Sequence, residues 1–573
     1  GEYSSRNLAY AFNAYVDYTK TFARKHNLHV MVGVNAEEGS FRGFSGTRKT
    51  LLDNTLPEFS LATGDMTVSG SHSHWGTAGY FGRINYDYDG IWLLELNGRY
   101  DGSSRFPQHS HWAFFPSASA GYRISQEKWF EPIRPIVSDA KIRASFGEIG
   151  NEAIGSNMFV SSISKKGDSY VYWTGDGTQK VSMYNMPSLV DADLSWERIQ
   201  TLDVGADLGF MNNDLKVTFD WYQRTTLDML APAASLPGVL GATAPYTNNG
   251  TLRTRGWELA IDWHHVFGDL VVYANASVGD FKSKVTKWSN DTKSLNSTYQ
   301  GMTYGDIWGF ETDRLFTPED FTGFDADGNP TGYAPGVPTQ VGIQTGSFVY
   351  GPGDTKYKDL NGDGKIDGGE GTADNHGDLK VIGNTQPRYQ YSFRLGGSWK
   401  GFDLDIFFQG IGKRDVWSQS AFVIPYYRGA DAIYSNQMDY WQGTFSGGKW
   451  TVTNADAEYP RLYAGNNGTG KVPGIDRGDK NFYPQSKWLS HMAYLRLKNL
   501  TFGYTLPQHL TRKIYLEKVR VYFSGENLFE LINNTNGAFD PEINTGDGSM
   551  SNGVFGRTDP MYRTISFGIQ LTL

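Results

Sequence analysis

Stretches of about ten residues in which apolar and polar side chains swap strictly constrain this chain more than any other feature. In Leu215-Lys216-Val217-Thr218-Phe219-Asp220-Trp221 every second side chain is apolar. The same alternation runs through Trp257-Glu258-Leu259-Ala260-Ile261-Asp262-Trp263, Phe402 to Phe408 and Phe567 to Leu573. Successive side chains of a strand point to opposite faces, so each stretch builds a sheet with one greasy and one charged face. Very short turns on one side and long segments on the other complete the pattern, which is that of a transmembrane antiparallel β-barrel.

The chain is 39% hydrophobic and 15% aromatic, yet its mean hydropathy is negative. A spanning strand needs only half of its residues apolar, so both facts fit a barrel with lipid outside and water within. No run of eighteen apolar residues occurs, which excludes a helical span. The chain opens without a signal segment and reads as mature, truncated or processed. Cysteine is missing, so neither a disulfide framework nor a thiolate metal site is available. A formal charge of −9 argues against a nucleic-acid partner.

The alternation predicts fifteen strands, near 7–19, 27–37, 76–87, 90–100, 112–124, 139–149, 198–210, 213–226, 251–264, 268–281, 387–399, 401–412, 488–505, 517–528 and 562–573. Tight turns fall at Asp87-Tyr88-Asp89-Gly90, Met211-Asn212-Asn213-Asp214, Val266-Phe267-Gly268-Asp269 and Lys400-Gly401. The long connections are 39–75, 150–197, 283–386, 413–486 and 529–560. Short turns belong to the periplasmic side and long loops to the outside, which puts Leu573 in the periplasm and Gly1 outside. Single-chain barrels carry even strand numbers, so residues 1–573 read as the C-terminal portion of a larger barrel. A large soluble all-β protein would alternate too, but outward Trp92, Leu94, Leu96, Trp221 and Trp263 would make a poor soluble surface.

Several passages resemble the SusC-like branch of the TonB-dependent outer-membrane transporters of Bacteroidetes. They begin with Leu94 to Tyr100, the loop Asp101-Gly102-Ser103-Ser104-Arg105-Phe106 and Phe114-Phe115-Pro116-Ser117 onward to Ile124. Lys141 to Gly147 with Gly150-Asn151, Trp196-Glu197, Tyr494 to Tyr504, Gly525 to Phe529 and Phe539-Asp540-Pro541-Glu542 follow in family order. The resemblance implies a barrel of about 22 strands. It also implies an upstream plug-containing segment, an N-terminal part that engages the TonB complex, and a SusD-like surface lipoprotein closing over the mouth. No plug or N-terminal extension domain is recognisable here, and the final residue is Leu573 where the family usually ends in an aromatic. In the Asp101 to Phe106 loop the residue types read as structural: Gly102 for a tight turn, the serines for backbone groups, and Arg105 for Asp101 or another carboxylate.

The sharpest chemical motif is Asp359-Leu360-Asn361-Gly362-Asp363-Gly364-Lys365-Ile366-Asp367-Gly368-Gly369-Glu370. Asp359, Asn361, Asp363, Asp367 and Glu370 set oxygens at the ligand positions of the twelve-residue calcium loop. Gly364 sits at the sharp turn and Lys365 offers its carbonyl. A bound Ca²⁺ that stiffens a long outer loop is the expectation, without an EF-hand, since no helix flanks the motif.

Catalytic patterns are missing. His72 with His74, or His109 with His111, could share a surface metal, but nothing resembles a zinc-hydrolase, nucleophile-elbow or phosphate-loop motif. Asp403 and Asp405 share a strand face and read as polar-face charges. Tyr170, Tyr172, Trp173, Trp288, Trp308, Tyr350, Tyr426, Tyr427, Trp441 and Trp450 fall in the long loops or at their edges. Aromatic faces stack on sugar rings and on peptide side chains, and they also pack loops together. Tyr172, Trp173, Trp308, Tyr350, Trp441 and Trp450 are the substrate-contact candidates. The resulting expectation is an importer of an oligomeric nutrient, first an oligosaccharide and second an oligopeptide, against a non-transporting adhesion barrel.

Overall fold

The computed structural model describes residues 1–573 except 156, 166–170, 174–179, 234–235, 345–347, 418–420, 427–432, 464–478, 536–539 and 544–558. Fifteen strands form one sheet in chain order: β1 (Glu2–Phe22), β2 (His26–Arg48), β3 (Met66–Tyr88), β4 (Trp92–Ser103), β5 (Trp112–Arg123), β6 (Val137–Asn151), β7 (Glu197–Phe210), β8 (Leu215–Pro232), β9 (Tyr246–Phe267), β10 (Leu270–Lys287), β11 (Arg388–Trp399), β12 (Phe402–Lys413), β13 (Tyr494–Thr505), β14 (Lys518–Asn533) and β15 (Thr564–Thr572). Each of the fifteen overlaps one expected segment.

The tight turns work through left-handed backbone. Asp89 and Gly90 have φ of 55° and 69°, and Lys400 and Gly401 have 48° and 91°. Positive φ at both central residues matches the right-handed twist of the strands they join, and glycine adopts it at no steric cost.

Aromatic pairs mark two levels on the apolar face of β3 to β5. Trp92 stacks on Tyr122 at 4.1 Å, and near the other end Trp112 stacks on Tyr100 at 5.1 Å and Tyr80 at 6.0 Å. Trp112 lies opposite Gly102 in the register. Ten residues separate Trp92 from Gly102; at about 3.3 Å each and a tilt of about 40°, they rise about 25 Å, the height of an outer-membrane apolar band. Leu94 and Leu96 lie between these girdles and are 43% and 42% exposed. Such a surface is stable against lipid.

Strands β1 to β3 run well beyond the expected ends, to Arg48 and back from Met66 inside the expected loop 39–75. Gly43-Phe44-Ser45-Gly46 lacks a lipid-type stripe and so reads as loop. Backbone pairing beyond the membrane does not require one. Conversely, β13 starts at Tyr494, because Leu489–His491 pairs with Asp415–Trp417 in a separate ribbon.

The chain divides into two compact units. In the first, Gly1–Asn213 with Asp220–Arg255 and Val285–Ser289, the polar face is tied by ions. Arg143 on β6 reaches Asp203 and Asp207 on β7 at 3.3 Å each, and Asp220 on β8 at 2.8 Å. In the second, Arg394 on β11 pairs with Asp405 on β12 at 2.7 Å, Tyr273 donates to the same carboxylate, and Arg520 on β14 holds Asp403 at 2.9 Å. Neighbouring strands thus carry compensating charges on the face away from the apolar band.

Candidate functional site

Between β10 and β13, the second unit carries a folded loop assembly with two hydrophobic cores. Phe310, Phe316, Phe321, Ile343, Phe348, Tyr350, Tyr357 and Ile366 form one. Val416, Ala421, Val423, Ile424, Tyr459, Phe482, Trp488 and Met492 form the other. Short hairpins frame them: Phe321–Phe324 pairs with Pro330–Tyr333, and Gln442–Ser446 with Lys449–Asn454. Phe310 joins the two long loops, donating its N–H to Pro484 O at 2.8 Å and accepting from the Ser486 N–H at 3.1 Å. The hairpin signals were present in Asp325-Ala326-Asp327-Gly328-Asn329 and Gly447-Gly448, but the first core also takes Tyr463 and Tyr483 from the other long loop and the second joins residues as far apart as Val416 and Met492, which no local pattern reports.

Two buried carboxylates organise the first core. Asp320 is almost fully buried, and burial alone would raise its carboxyl. Arg314 at 2.6 and 2.7 Å, the Thr317 N–H at 2.9 Å and Lys356 at 3.1 Å outweigh that and bring it to about 2. Asp354 has no exposed surface. It accepts from the Gly351 N–H and the Asn481 amide at 2.8 Å each and from the Tyr463 hydroxyl at 2.9 Å. Its burial wins over these donors and over Arg461, so the carboxyl is pushed up to about 6. Near the surface, hydrogen bonds from Lys358 and Lys380 pull Glu311 down to about 2.

The aromatic candidates separate under this geometry. Tyr350 is wholly buried between Phe316 and Phe348, and Trp441 is 3% exposed beneath Gly353, so both are core side chains with no face to offer a ligand. Trp450 is half-buried: its indole donates to Gly328 O at 3.2 Å, and the Arg461 guanidinium lies 4.9 Å from its ring. Trp308 is also half-buried, donating to the Tyr299 hydroxyl at 3.3 Å and facing His376 at 5.2 Å. Tyr172 and Trp173 sit on the short strand Val171–Trp173, and their side chains fall outside the described residues, as do Tyr170 and Tyr427.

The Asp359 to Glu370 loop has the turns its sequence requires. Gly362 and Gly364 adopt φ of 79° and 81°. Asp359 accepts from the N–H of Gly362 and Gly364 at 2.6 and 2.8 Å, Asn361 from Asp363 at 2.9 Å, Asp363 from Lys365 at 2.9 Å and Asp367 from Gly369 at 2.8 Å. Ile366 is buried in the first core and donates its N–H to Thr339 O at 2.8 Å. Asp378, outside the motif, anchors both halves by accepting from Leu360 and Asp367 at 2.7 and 3.0 Å. Among the described residues no group of three or more His, Cys, Asp or Glu side chains converges as a metal cluster. The histidine pairs take carboxylate partners: His74 with Glu38 at 3.0 Å and His109 with Asp193 at 3.3 Å.

The motifs spread along the first unit meet in space. Phe106, Phe115, Ile154 and Trp196 form one small core, with the Trp196 indole donating to His111 O at 3.0 Å. A side chain at Gly150 would meet the Phe115 ring at 2.1 Å, and one at Gly102 would meet the Trp112 ring at 2.7 Å. These two glycines serve close approach of an aromatic, which corrects the tight-turn role expected for Gly102. Arg105 does not pair with Asp101, which Arg99 takes at 2.8 Å. Its guanidinium donates instead to the carbonyls of Glu152 and Ile154, at 3.4 and 3.2 Å, tying two loops together.

Residues 1–528 match the family described as TonB dependent receptor-like, beta-barrel. Among curated proteins, TonB-dependent receptor P3 of Formosa agariphila is 26% identical over 97% of this chain and 51% of its own length. TonB-dependent receptor SusC of Bacteroides thetaiotaomicron is 26% identical over 94% of this chain and 48% of its own. Among solved structures the RagAB peptide importer, in its open-open state, superposes with a TM-score of 0.73 at 22% identity, covering 100% of this chain and 55% of that one. The chain spans about half the length of the curated relatives it matches. Alternating strands bounded by aromatic girdles, a polar inner face and the motif core all agree with the match, and the chain belongs to the TonB-dependent receptor-like β-barrel family, as an outer-membrane β-barrel of SusC-like kind.

Proposed function

We propose that this chain is the C-terminal barrel portion of a transporter that imports an oligomeric nutrient across the outer membrane, with an oligosaccharide as its cargo. The observation that carries the reading is the folded loop assembly. A barrel that only passed small solutes would have no use for two extra hydrophobic cores between β10 and β13, whereas capture of a large cargo needs a rigid, shaped rim. Of the substrate-contact candidates whose side chains are described, half-buried Trp308 and Trp450 retain surface for stacking on a sugar ring. A second reading, oligopeptide import, is favoured by the name of the RagAB importer, whose fold this chain shares.

In this reading the chain works with an upstream plug-containing segment, with the TonB complex acting through an N-terminal part, and with a SusD-like surface lipoprotein seated on loops 283–378 and 413–486. Strands β1 and β15, each paired on one side in the sheet, take further strands of the same barrel, because unpaired backbone groups in lipid each cost several kcal/mol. Native mass spectrometry of the complex extracted from outer membranes, followed by denaturing peptide mapping, tests this assembly. A co-purifying plug segment and lipoprotein are expected, and recovery of this chain without either overturns the reading. Binding assays of that complex with oligosaccharide and oligopeptide panels then separate the two cargoes.

The Asp359 to Glu370 loop holds a structural Ca²⁺ in the same proposal. Backbone N–H groups bond both carboxylate oxygens of Asp359, the amide oxygen of Asn361 and one oxygen of Asp363, which orders these side chains around the turn, and the acidic oxygens at these positions are of the type a hard cation with six to eight oxygen ligands takes. Asp363→Ala, or a chelator, should expose residues 354–380 to protease, and an unchanged cleavage pattern with both would sink the assignment.

A further inference from the structure

A cavity of about 260 Å³ opens where the loop-side ends of β10, β11 and β12 meet residues 303–306 and 381–386. Three cations line it, Lys282 from β10, Arg388 from β11 and Lys413 from β12, together with Gln386, Asn384 and Asp306. Arg388 and Lys413 are direct cross-strand partners, a like-charge arrangement that destabilises a sheet unless an anion offsets it. Asp280 supplies that anion for Arg388 alone, through two hydrogen bonds of 2.5 Å. Lys282, Lys413 and the neighbouring Lys284 have no acidic partner among the described residues. Asp306, the acid in the lining, is occupied by the Thr303 N–H at 3.2 Å and the Asn384 amide at 2.8 Å. The cavity therefore keeps a positive excess, and the side-chain amide of Gln386 adds a neutral polar group to the lining.

From this arrangement we infer that the cavity binds a single sugar ring carrying an oxyanion, a carboxylate or a phosphate. Its volume falls below the roughly 300–1,000 Å³ of pockets for drug-sized ligands, which suits one ring with the remainder of a longer molecule outside. Ammonium groups that gain an oxyanion partner form charge-assisted hydrogen bonds about twice as strong as neutral ones, and a ring hydroxyl matches the Gln386 amide. Cross-strand repulsion between Arg388 and Lys413 is relieved in the same step. Such a ring could be presented by an acidic cargo or by an outer-leaflet glycolipid, and the chemistry recognised is the same. With the ring on cargo the inference rests on the oligosaccharide reading above, and with the ring on a glycolipid it stands apart from that reading.

The test uses the full-length protein in detergent and calorimetric titration with glucuronate, glucose 6-phosphate and glucose. Either charged sugar should bind about tenfold or more tightly than glucose, and the preference should collapse to less than about threefold in the double variant Lys282→Gln/Lys413→Gln and at high salt. The variant Lys282→Arg/Lys413→Arg should retain it, which separates charge from loss of fold. Mass spectrometry of co-purified glycolipid forms the second arm. Depletion in the Gln variant places the ring on a lipid, and retention with lost glucuronate binding places it on cargo. Equal affinity for glucose and the charged sugars, together with unchanged glycolipid, overturns the inference.

Discussion

Replacing Asp320 by asparagine should loosen the loop assembly while leaving the spanning strands intact. This carboxylate is 4% exposed and serves three partners: Arg314 in a bidentate pair, the Thr317 N–H, and Lys356, itself 11% exposed. It thereby joins the strand pair Thr312–Leu315 and Thr355–Tyr357 to the turn at Pro318–Asp320. A carboxyl held at about 2 against an ordinary 3.8 contributes about 2.5 kcal/mol above pH 4, at about 1.4 kcal/mol per pH unit. The sign follows from the depressed value: the contribution is full above pH 3.8 and disappears as pH falls through the interval down to about 2. Asparagine keeps the shape but leaves Lys356 half-satisfied in a buried position, so the loss should be of the same size. Hydrogen exchange read by mass spectrometry on the detergent-solubilised protein at pH 7 should show amides of residues 314–321 and 355–357 exchanging about 60-fold faster in the variant. Amides of β4 and β12 should not change. Exchange within about threefold of wild type at residues 314–321 would refute the argument, because it would mean that Arg314 and Lys356 are satisfied equally well by water.

Three further outcomes follow from the same geometry. Leu96→Arg places a charge midway between the aromatic levels on the apolar face; it should cost about 2–4 kcal/mol in a urea titration of the protein folded in vesicles, while Asn97→Ala on the opposite face stays within about 1 kcal/mol. Gly353→Ala forces a side chain to within 2.3 Å of the buried Trp441 indole at a φ of 87°, so tryptophan fluorescence should shift to the red and protease sensitivity of the assembly should rise, with a cost of at least about 1–3 kcal/mol. Arg496→Met removes a buried cation that holds Glu530, Asp540 and Glu542, and leaving those carboxylates unpaired should cost about 3–5 kcal/mol, seen as faster exchange of residues 540–543; unchanged exchange there would contradict it.

The strands were legible in the sequence, and the core of the loops was not. Alternation is a local signal with a period of two, and lipid on one side with charge on the other imposes it wherever the chain crosses the membrane, as in Trp92 to Tyr100 or Phe402 to Phe408. Strand number and the places of the tight turns follow from that local rule, and the order of the motifs carries the family resemblance. The rule stops at the membrane edge, which is why β2 and β3 continue through Gly43 and Ser69 beyond the ends that alternation marks.

Tertiary structure alone decided what the loop aromatics are for. Tyr350 and Trp441 have the residue type of ligand contacts, but their burial depends on partners distant in the chain, Phe316 for Tyr350 and Gly353 for Trp441. It also turned Arg105 from a carboxylate partner into a clasp on Glu152 and Ile154, and it brought Lys282, Arg388 and Lys413 from three strands into one cavity. A sequence determines each residue's chemistry and its local period; burial and proximity across a hundred residues are properties of the packed chain, and they settle whether the same tryptophan or arginine meets a ligand or a neighbouring loop.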